Sequence, residues 1–166
     1  MDFSPKDAYT ISVACTDRNM YLYDLRNPRV PTKTFKGHNR TVSGARFTSE
    51  DELMTCSIDG QILLWKIENE EPAGSFKGHK NEKNFIGLAS NGDFIAAGSE
   101  DDKVYMYHKA MQKPLASFQF EDQERILDGR MCGSSAGFVS AIAWKKDSSV
   151  LLAANSWGAI NVLQME

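Results

Sequence analysis

The feature that most limits how this sequence can fold is a unit of about 42 residues that recurs along the chain. Three segments end in a small or hydroxyl residue followed by phenylalanine, at Phe35, Phe76 and Phe118. Two of them continue into the same dipeptide, Gly37-His38 and Gly78-His79. Because a fixed period makes each copy one structural unit that stacks on the next, we predict a repeat protein.

Each unit also contains a turn that is followed by alternating apolar residues. The turn residue is Asp17, Asp59 or Asp101, at intervals of 42, and a fourth copy begins at Trp157, 56 residues after Asp101. The last interval is longer than 42, and the sequence therefore predicts an insertion loop at residues 121–137.

Within a unit, the pattern is that of short β-strands. Apolar runs such as Val42 to Phe47 are separated by turn residues such as Asp59-Gly60 and Asn91-Gly92-Asp93. Four short strands per period, with Gly-His near the start and an aromatic residue in the third strand, are typical of a WD-repeat blade. A β-sandwich would not require anchors repeated in phase. We predict an all-β WD-repeat β-propeller of about four blades, each a four-stranded antiparallel sheet. Their approximate bounds within residues 1–166 are 1–35, 36–76, 77–118 and 138–166.

Composition and charge exclude several classes of protein. Among 166 residues, Lys plus Arg is 19 and Asp plus Glu is 22, a net charge of −3 that favours neither a nucleic-acid partner nor a membrane surface. No apolar run approaches the roughly 20 residues that span a bilayer, and no signal peptide is visible. The cysteines, Cys15, Cys56 and Cys132, form no CxxC pair. This favours a reducing compartment, and we expect no cofactor and no metal.

A polar constellation in the second predicted blade resembles a catalytic site. Its members are His38, Ser57, Asp59 and Trp65. The corresponding residues of the third blade are His79, Ser99, Asp101 and Tyr107. In WD-repeat proteins such residues form a buried hydrogen-bonded chain that stabilises the blade, and a catalytic triad has no reason to recur at a fixed period. We therefore predict a structural network and no catalytic residue. An enzyme that uses His38, Ser57 and Asp59 is the alternative to be tested.

The loops after each Gly-His pair form the predicted binding surface, because propellers bind partners mainly through loops above a rigid scaffold. By period, Arg40 and Glu82 fall near equivalent places on adjacent blades, and Phe85 leads into the next inner strand. A cation, an anion and an aromatic residue on one face suit a short peptide that has an apolar anchor and flanking charges. The alternative is that Arg40 and Glu82 only form a surface ion pair, which stabilises little.

Three longer segments carry a more specific resemblance. They are Tyr23-Asp24-Leu25-Arg26-Asn27, Asn81-Glu82-Lys83-Asn84-Phe85-Ile86-Gly87-Leu88 after Gly78-His79, and Ala154-Asn155-Ser156-Trp157-Gly158. The sequence resembles the constitutive photomorphogenesis ubiquitin-ligase family and the related suppressors of phytochrome A over nearly the whole chain. The resemblance implies the C-terminal half of a seven-bladed propeller, which in the ligase follows a RING finger and a coiled coil.

The same resemblance implies a function. The family's propeller captures short Val-Pro-containing motifs, preceded by charged residues, in transcription factors, photoreceptors and adaptor proteins. Glu82 and Phe85 match residues of its peptide pocket, Arg40 stands where the family usually has lysine, and Arg18 where the ligase usually has histidine. We expect a substrate-recruiting module that directs ubiquitination of transcription regulators, joins other ligase-complex subunits, and resides in the nucleus and cytoplasm. The alternatives are a non-catalytic WD-repeat scaffold and a suppressor-of-phytochrome-A-like partner of the ligase.

The sequence contains no Cys/His pattern of a RING finger, so we expect ligase chemistry only in a larger parent protein. The chain begins inside a predicted inner strand, and its last predicted blade lacks an outer strand. We therefore expect a fragment with two open edges, whose unpaired backbone groups favour aggregation or association.

Overall fold

A computed structural model describes residues 1–120, 126–127, 130–131, 137–146 and 148–165, and every regular element in these ranges is a β-strand. Sheet 1 contains β1 (Asp2–Phe3), β2 (Thr10–Ala14), β3 (Asn19–Asp24) and β4 (Lys33–Lys36). Sheet 2 contains β5 (Val42–Phe47), β6 (Glu52–Ser57), β7 (Gln61–Lys66) and β8 (Pro72–Lys77). Sheet 3 contains β9 (Leu88–Asn91), β10 (Phe94–Gly98), β11 (Lys103–His108) and β12 (Ala116–Gln119).

The remaining strands come after the third sheet. A short pair consists of β13 (Ile126–Leu127) and β14 (Arg130–Met131), and sheet 4 contains β15 (Val139–Trp144), β16 (Val150–Asn155) and β17 (Ile160–Gln164). The pair β13–β14 lies inside the predicted insertion, where the sequence predicted only a loop. Residues 121–125, 128–129 and 132–136 of that insertion lie outside the described residues.

All four sheets are antiparallel, and neighbours in sequence are neighbours in the sheet. Three sheets have four strands, and sheet 4 has three among the described residues. The two-residue connection between β9 and β10 has a positive φ of 58° at Gly92, as a tight hairpin requires. These sheets confirm the predicted all-β propeller architecture, which is open and incomplete in the described part of the chain.

The core lies between successive sheets, because the strands of the middle sheets are apolar on both faces. In sheet 2, the buried side chains that pack towards sheet 1 are Ala45, Leu53, Leu63 and Trp65. Those that pack towards sheet 3 are Met54, Cys56, Ile62, Leu64 and Phe76. Since successive side chains point to opposite faces, a strand buried on both sides is continuously apolar, as β7 is from Ile62 to Trp65.

The repeated phenylalanines join each sheet to the next. Phe35 of β4 packs edge-on against Trp65 of sheet 2, with ring centroids 5.4 Å apart, and Phe76 of β8 packs against Tyr107 of sheet 3 at 5.7 Å. Aromatic pairs at this separation stabilise beyond their buried area. The first two copies of the predicted phenylalanine anchor are therefore contacts between blades.

Candidate functional site

The turn of sheet 1 and the loop between sheets 1 and 2 form one surface with the turn of sheet 2. The backbone N–H of Val42 donates to Cys15 O at 3.1 Å, close to the turn that carries Arg18. The N–H of Ile58 donates to Thr41 O, also at 3.1 Å. These bonds place the predicted binding loops at the same end of neighbouring sheets.

The surface continues onto sheet 3 through the segment after the second Gly-His pair. The carbonyl oxygens of His79 and Asn81 lie 3.9 Å and 4.0 Å from the position that a Cβ would take at Gly60 in the turn of sheet 2. Because this segment leads directly to Glu82 and Phe85, those residues lie at the same end of the sheets as Arg40.

A hydrogen-bonded chain connects the polar residues of sheet 2, with Thr55 as its central hydroxyl. His38 Nδ1 lies 3.0 Å from Asp59 Oδ2, and His38 Nε2 lies 2.7 Å from Thr55 Oγ1. The indole N–H of Trp65 donates to the same hydroxyl oxygen at 2.9 Å. A neutral ring that donates from Nδ1 to the carboxylate accepts the Thr55 O–H at Nε2, which satisfies all these groups. Burial would raise the pKa of Asp59, but the hydrogen bonds from His38 and Asn39 outweigh it and lower that pKa.

The prediction that Ser57 supplies the hydroxyl of this chain is corrected by the structure. Ser57 Oγ donates to Arg40 O at 3.2 Å and accepts the Asp59 N–H at 3.1 Å. Trp65 stands opposite Leu53 in the β6–β7 register, and Ser57 is four residues further along β6, about 13 Å away at about 3.3 Å per residue. Thr55 is the nearer hydroxyl on the same face of the strand.

This arrangement also counts against the catalytic alternative. A Ser-His-Asp triad needs the serine hydroxyl on the histidine ring, whereas His38 Nε2 is bonded to Thr55 and Ser57 is bonded to backbone groups. His38 and Ser57 are both buried, so neither offers an accessible nucleophile or base.

The corresponding residues of sheet 3 form separate contacts instead of one chain. Tyr107 OH accepts the His79 backbone N–H at 3.2 Å and lies 3.0 Å from His79 Nδ1. Ser99 bonds both backbone groups of Lys80, and Asp101 accepts the Tyr105 O–H at 2.9 Å. The predicted recurrence of the network is therefore wrong in its connections.

Two substitutions explain the difference. Ala97 occupies the place of Thr55, so the central hydroxyl is missing, and Tyr107 replaces the tryptophan with a hydroxyl that reaches the histidine directly. His79 Nε2 has no hydrogen-bond partner in the described part of the chain. Burial lowers the pKa of His79 to about 4, although the carboxylates of Asp101 and Asp59 oppose this.

Arg40 and Arg18 are both exposed. Arg40 Nη1 donates to Ile58 O at 3.1 Å, and no ion pair in the described residues joins Arg40 to Glu82. Arg18 has a positive φ of 75°, which is uncommon for a residue with a side chain. The surface ion pair is therefore not formed, and the Arg40 guanidinium lies against the turn of sheet 2.

The loop that carries Glu82 and Phe85 is longer than the loop of Arg40. Arg40 O and Lys80 O occupy equivalent places, since each accepts a serine hydroxyl from its own sheet. Gly44 and Gly87 occupy equivalent places, opposite Cys56 and Gly98. Residues 41–43 separate Arg40 from Gly44, whereas residues 81–86 separate Lys80 from Gly87. The structural equivalent of Arg40 is therefore Lys80. Glu82 lies on an inserted loop segment that is not evident from the repeat period of the sequence.

Glu100 holds this inserted loop segment in place through hydrogen bonds, a role that the sequence pattern did not predict. Its Oε1 accepts the backbone N–H groups of Lys83 and Asn84, each at 2.7 Å, and the Asn84 side-chain amide at 3.1 Å. Burial by itself would raise the pKa of Glu100, but the hydrogen bonds from Asn84, Lys83 and Glu82 outweigh it and lower that pKa. The carboxylate therefore remains ionised at neutral pH.

The loop presents its side chains to solvent. Phe85 is 71% exposed, and Glu82 and Lys83 are also exposed. Asn81 and Ile86, at the two ends of the loop, are buried. An apolar groove of about 540 Å³ lies elsewhere, between sheets 3 and 4, and includes Phe118 and Val162 in its lining.

The described residues hold neither a cluster of potential metal ligands nor a long apolar helix. These residues contain no group of three or more His, Cys, Asp or Glu side chains that could hold a metal ion. The same part of the chain contains no helix long and apolar enough to cross a membrane.

Comparison with known proteins agrees with the repeat found in the sheets. The family described as "WD domain, G-beta repeat" matches residues 29–66 and 70–108, which include most of sheets 2 and 3. The chain contains WD repeats. The WD-repeat chain is 39% identical over 97% of its length to E3 ubiquitin-protein ligase COP1 of Arabidopsis thaliana, and 40% identical over 97% to E3 ubiquitin-protein ligase COP1 of Pisum sativum. It is 37% identical over 99% of its length to Protein SPA1-RELATED 3 of Arabidopsis thaliana.

These relatives confirm the family resemblance, but each of them is a much longer protein. The WD-repeat chain spans 24% of each ligase and 20% of Protein SPA1-RELATED 3. The repeat type and the relatives indicate a protein-interaction module.

Proposed function

We propose that this WD-repeat chain recruits substrates to a ubiquitin ligase by binding short peptides at the surface of Arg40, Glu82 and Phe85. The observation that carries the proposal is that Phe85 is 71% exposed although the loop around it is held in place. Aromatic side chains are enriched at the buried centres of protein interfaces, so an exposed phenylalanine on a loop that is held in place is suited to be an anchor. A partner that covers Phe85 would gain apolar burial with little ordering of the loop.

The chemistry of the surface suits a Val-Pro peptide preceded by charged residues. Phe85 offers an apolar face to the Val-Pro pair, and Glu82 and Arg40 offer one charge of each sign to the flanking residues. Arg18 lies on the turn of sheet 1, beyond Arg40, where it extends the basic part of the surface. The peptide would come from a transcription factor, photoreceptor or adaptor protein, and the parent protein would supply RING-type ligase chemistry in the nucleus and cytoplasm.

The test is a titration of the protein with a fluorescent Val-Pro peptide that carries charged residues before the Val-Pro pair. We expect Phe85→Ala to weaken binding at least about tenfold, as expected for a central aromatic anchor. Glu82→Ala should weaken binding less and make it less sensitive to salt. Phe3→Ala is the matched control, since Phe3 is also exposed, at 59%, but lies on β1 away from the loops. If Phe85→Ala and Glu82→Ala bind the peptide like the parent, the proposed surface is wrong.

A second candidate is a WD-repeat scaffold that has lost peptide recognition. It is favoured by Arg40 and Arg18, which depart from the residues usual in the family. This function predicts a folded protein that does not bind the peptide. It also predicts that Arg40→Lys together with Arg18→His raises the affinity towards that of the family's propellers.

A further inference from the structure

The exposed part of the loop is fixed by contacts on both of its sides. On one side, Glu100 binds the backbone of Lys83 and Asn84. On the other side, Ile86 is buried in the core between sheets 2 and 3, and the Gly87 N–H donates to Val139 O at 3.1 Å. Phe85 is the single residue between these contacts, so its backbone has little freedom.

The hydrogen bonds that Glu100 accepts orient the loop backbone as well as stabilise it. Hydrogen bonds to an ionised acceptor are stronger than those between neutral groups, and one oxygen here accepts three of them. The main-chain N–H groups of two consecutive residues converge on that oxygen, which sets the direction of the chain as it enters Phe85. Without the carboxylate, these N–H groups would face solvent on an unsupported loop.

We propose that Glu100 is a positioning residue of the peptide-binding surface, whose carboxylate fixes the backbone of the loop so that Phe85 is presented outward before a ligand arrives. This inference rests on the proposed function, since it assigns Glu100 a role in the same surface. Glu100 acts on the ligand through the loop, because its Oε1 is occupied by loop donors.

The arrangement also indicates which of the two carboxylates, Glu82 or Glu100, a ligand contacts. Glu100 is committed to the loop, whereas Glu82 is exposed on it. A basic residue of the ligand therefore meets Glu82, and Glu100 contributes to affinity by lowering the ordering cost of the loop.

The experiment is a double-mutant cycle between Glu100 and Phe85, read by affinity for the same fluorescent Val-Pro peptide. We expect Glu100→Ala to weaken binding about tenfold, an order of magnitude set by loss of preorganisation. Glu100→Gln keeps an acceptor oxygen but loses the charge, and we expect a smaller loss. In the Phe85→Ala background, Glu100→Ala should cause no further loss, because both changes remove the same anchor. Glu70→Gln, at an exposed site on the loop before β8, is the matched control.

Amide hydrogen exchange of the same variants gives a second readout. The N–H groups of Lys83 and Asn84 should exchange faster in Glu100→Gln and Glu100→Ala, while those of β10 and β11 keep their protection. If Glu100→Ala fails to fold, Glu100→Gln carries the test alone.

The outcomes separate the two ideas. Phe85→Ala and Glu82→Ala both without effect overturn the proposed function. Phe85→Ala alone without effect overturns the positioning role, since Phe85 is then not the anchor that Glu100 would position. Phe85→Ala with weakened binding, but both Glu100 variants like the parent, overturns only the positioning role. Additive losses from Glu100 and Phe85 also overturn it, since Glu100 would then contribute independently of the anchor.

Discussion

The hydroxyl of Thr55 satisfies two buried rings at once, and its loss should cost more than the loss of any single hydrogen bond. Thr55→Val keeps the shape of the side chain but leaves His38 Nε2 and Trp65 Nε1 without this partner. We expect it to lower the free energy of unfolding by about 3 kcal/mol, since each buried polar group left unpaired costs about 1–3 kcal/mol. Urea unfolding measures the change. Thr55→Ser keeps the hydroxyl and should cost less than half as much. Equal effects of the two variants would show that the hydroxyl is unimportant.

The buried neutral ring of His79 should make stability depend on pH in a defined window. Its pKa is lowered from an ordinary 6.5 to about 4, chiefly by burial, so the unfolded chain binds a proton at a pH where the folded chain does not. Stability is therefore present above pH 6.5 and is lost as the pH falls from about 6.5 towards 4. The slope from this group is at most about 1.4 kcal/mol per pH unit.

Urea unfolding at several pH values between about 6.5 and 5 measures this slope. The carboxyls of Asp59 and Glu100 have pKa values lowered from 3.8 and 4.5, so most of their effect on stability falls below that range. His79→Gln should flatten the profile there, whatever its effect on stability at neutral pH. An unchanged slope in His79→Gln would contradict the assignment.

The period in the sequence pointed to three residues of the hydrogen-bonded chain in sheet 2. His38, Asp59 and Trp65 were predicted because each lies at a fixed place in a repeated unit. The choice of Ser57 over Thr55 was wrong because both hydroxyls lie on one face of β6, and a sequence alone does not give the register that brings Thr55 next to Trp65.

In all four sheets, the turn between the second and third strands has the same backbone conformation at one residue, but the residue type differs. The residue with positive φ in these turns is Arg18 (75°), Gly60 (74°), Asp102 (58°) and Gly158 (85°). Only glycine adopts this region without steric cost. We expect Gly60→Ala to lower the free energy of unfolding by about 1 kcal/mol, the usual cost of left-handed backbone in a residue with a Cβ.

Gly74 offers a matched control within the same sheet, because its φ is not in the left-handed region and a Cβ there would meet only ordinary contacts of 3.5 Å or more. Gly74→Ala should leave stability unchanged or slightly raise it, since alanine lowers the entropy of the unfolded chain. Urea unfolding of both variants compares them directly. A larger loss in Gly74→Ala than in Gly60→Ala would refute the explanation from backbone conformation.

Strands were predictable from the sequence, and the contacts that hold the loop of Phe85 in place were not. The apolar runs at Val42–Phe47 and Ile62–Trp65 gave β5 and β7 to within a residue at each end. The loop depends on Glu100, which lies 15 residues beyond Phe85 and binds backbone N–H groups. Backbone groups carry no signal of residue type, so nothing in the sequence paired Glu100 with this loop.

In the whole molecule, the sheets are joined by backbone hydrogen bonds at their inner strands as well as by side-chain packing. Val139 of β15 accepts the Gly87 N–H and donates its own N–H to Ser99 O, both at 3.1 Å. Two backbones can approach this closely only where no side chain intervenes. A Cβ at Gly98 would lie 2.2 Å from Val139 O, which is far inside van der Waals contact.

Gly98→Ala should therefore separate sheets 3 and 4 at their inner strands. The clash is with backbone and cannot be relieved by a change of side-chain rotamer, so we expect the free energy of unfolding to fall by about 3 kcal/mol or more, at the upper end for an overpacked core. Urea unfolding gives the magnitude, and amide hydrogen exchange gives the location. The N–H groups of Gly87 and Val139 should lose protection in Gly98→Ala, while that of Val42, which donates to Cys15 O between sheets 1 and 2, keeps it. Unchanged exchange at Gly87 and Val139 would show that close backbone approach does not hold these two sheets together.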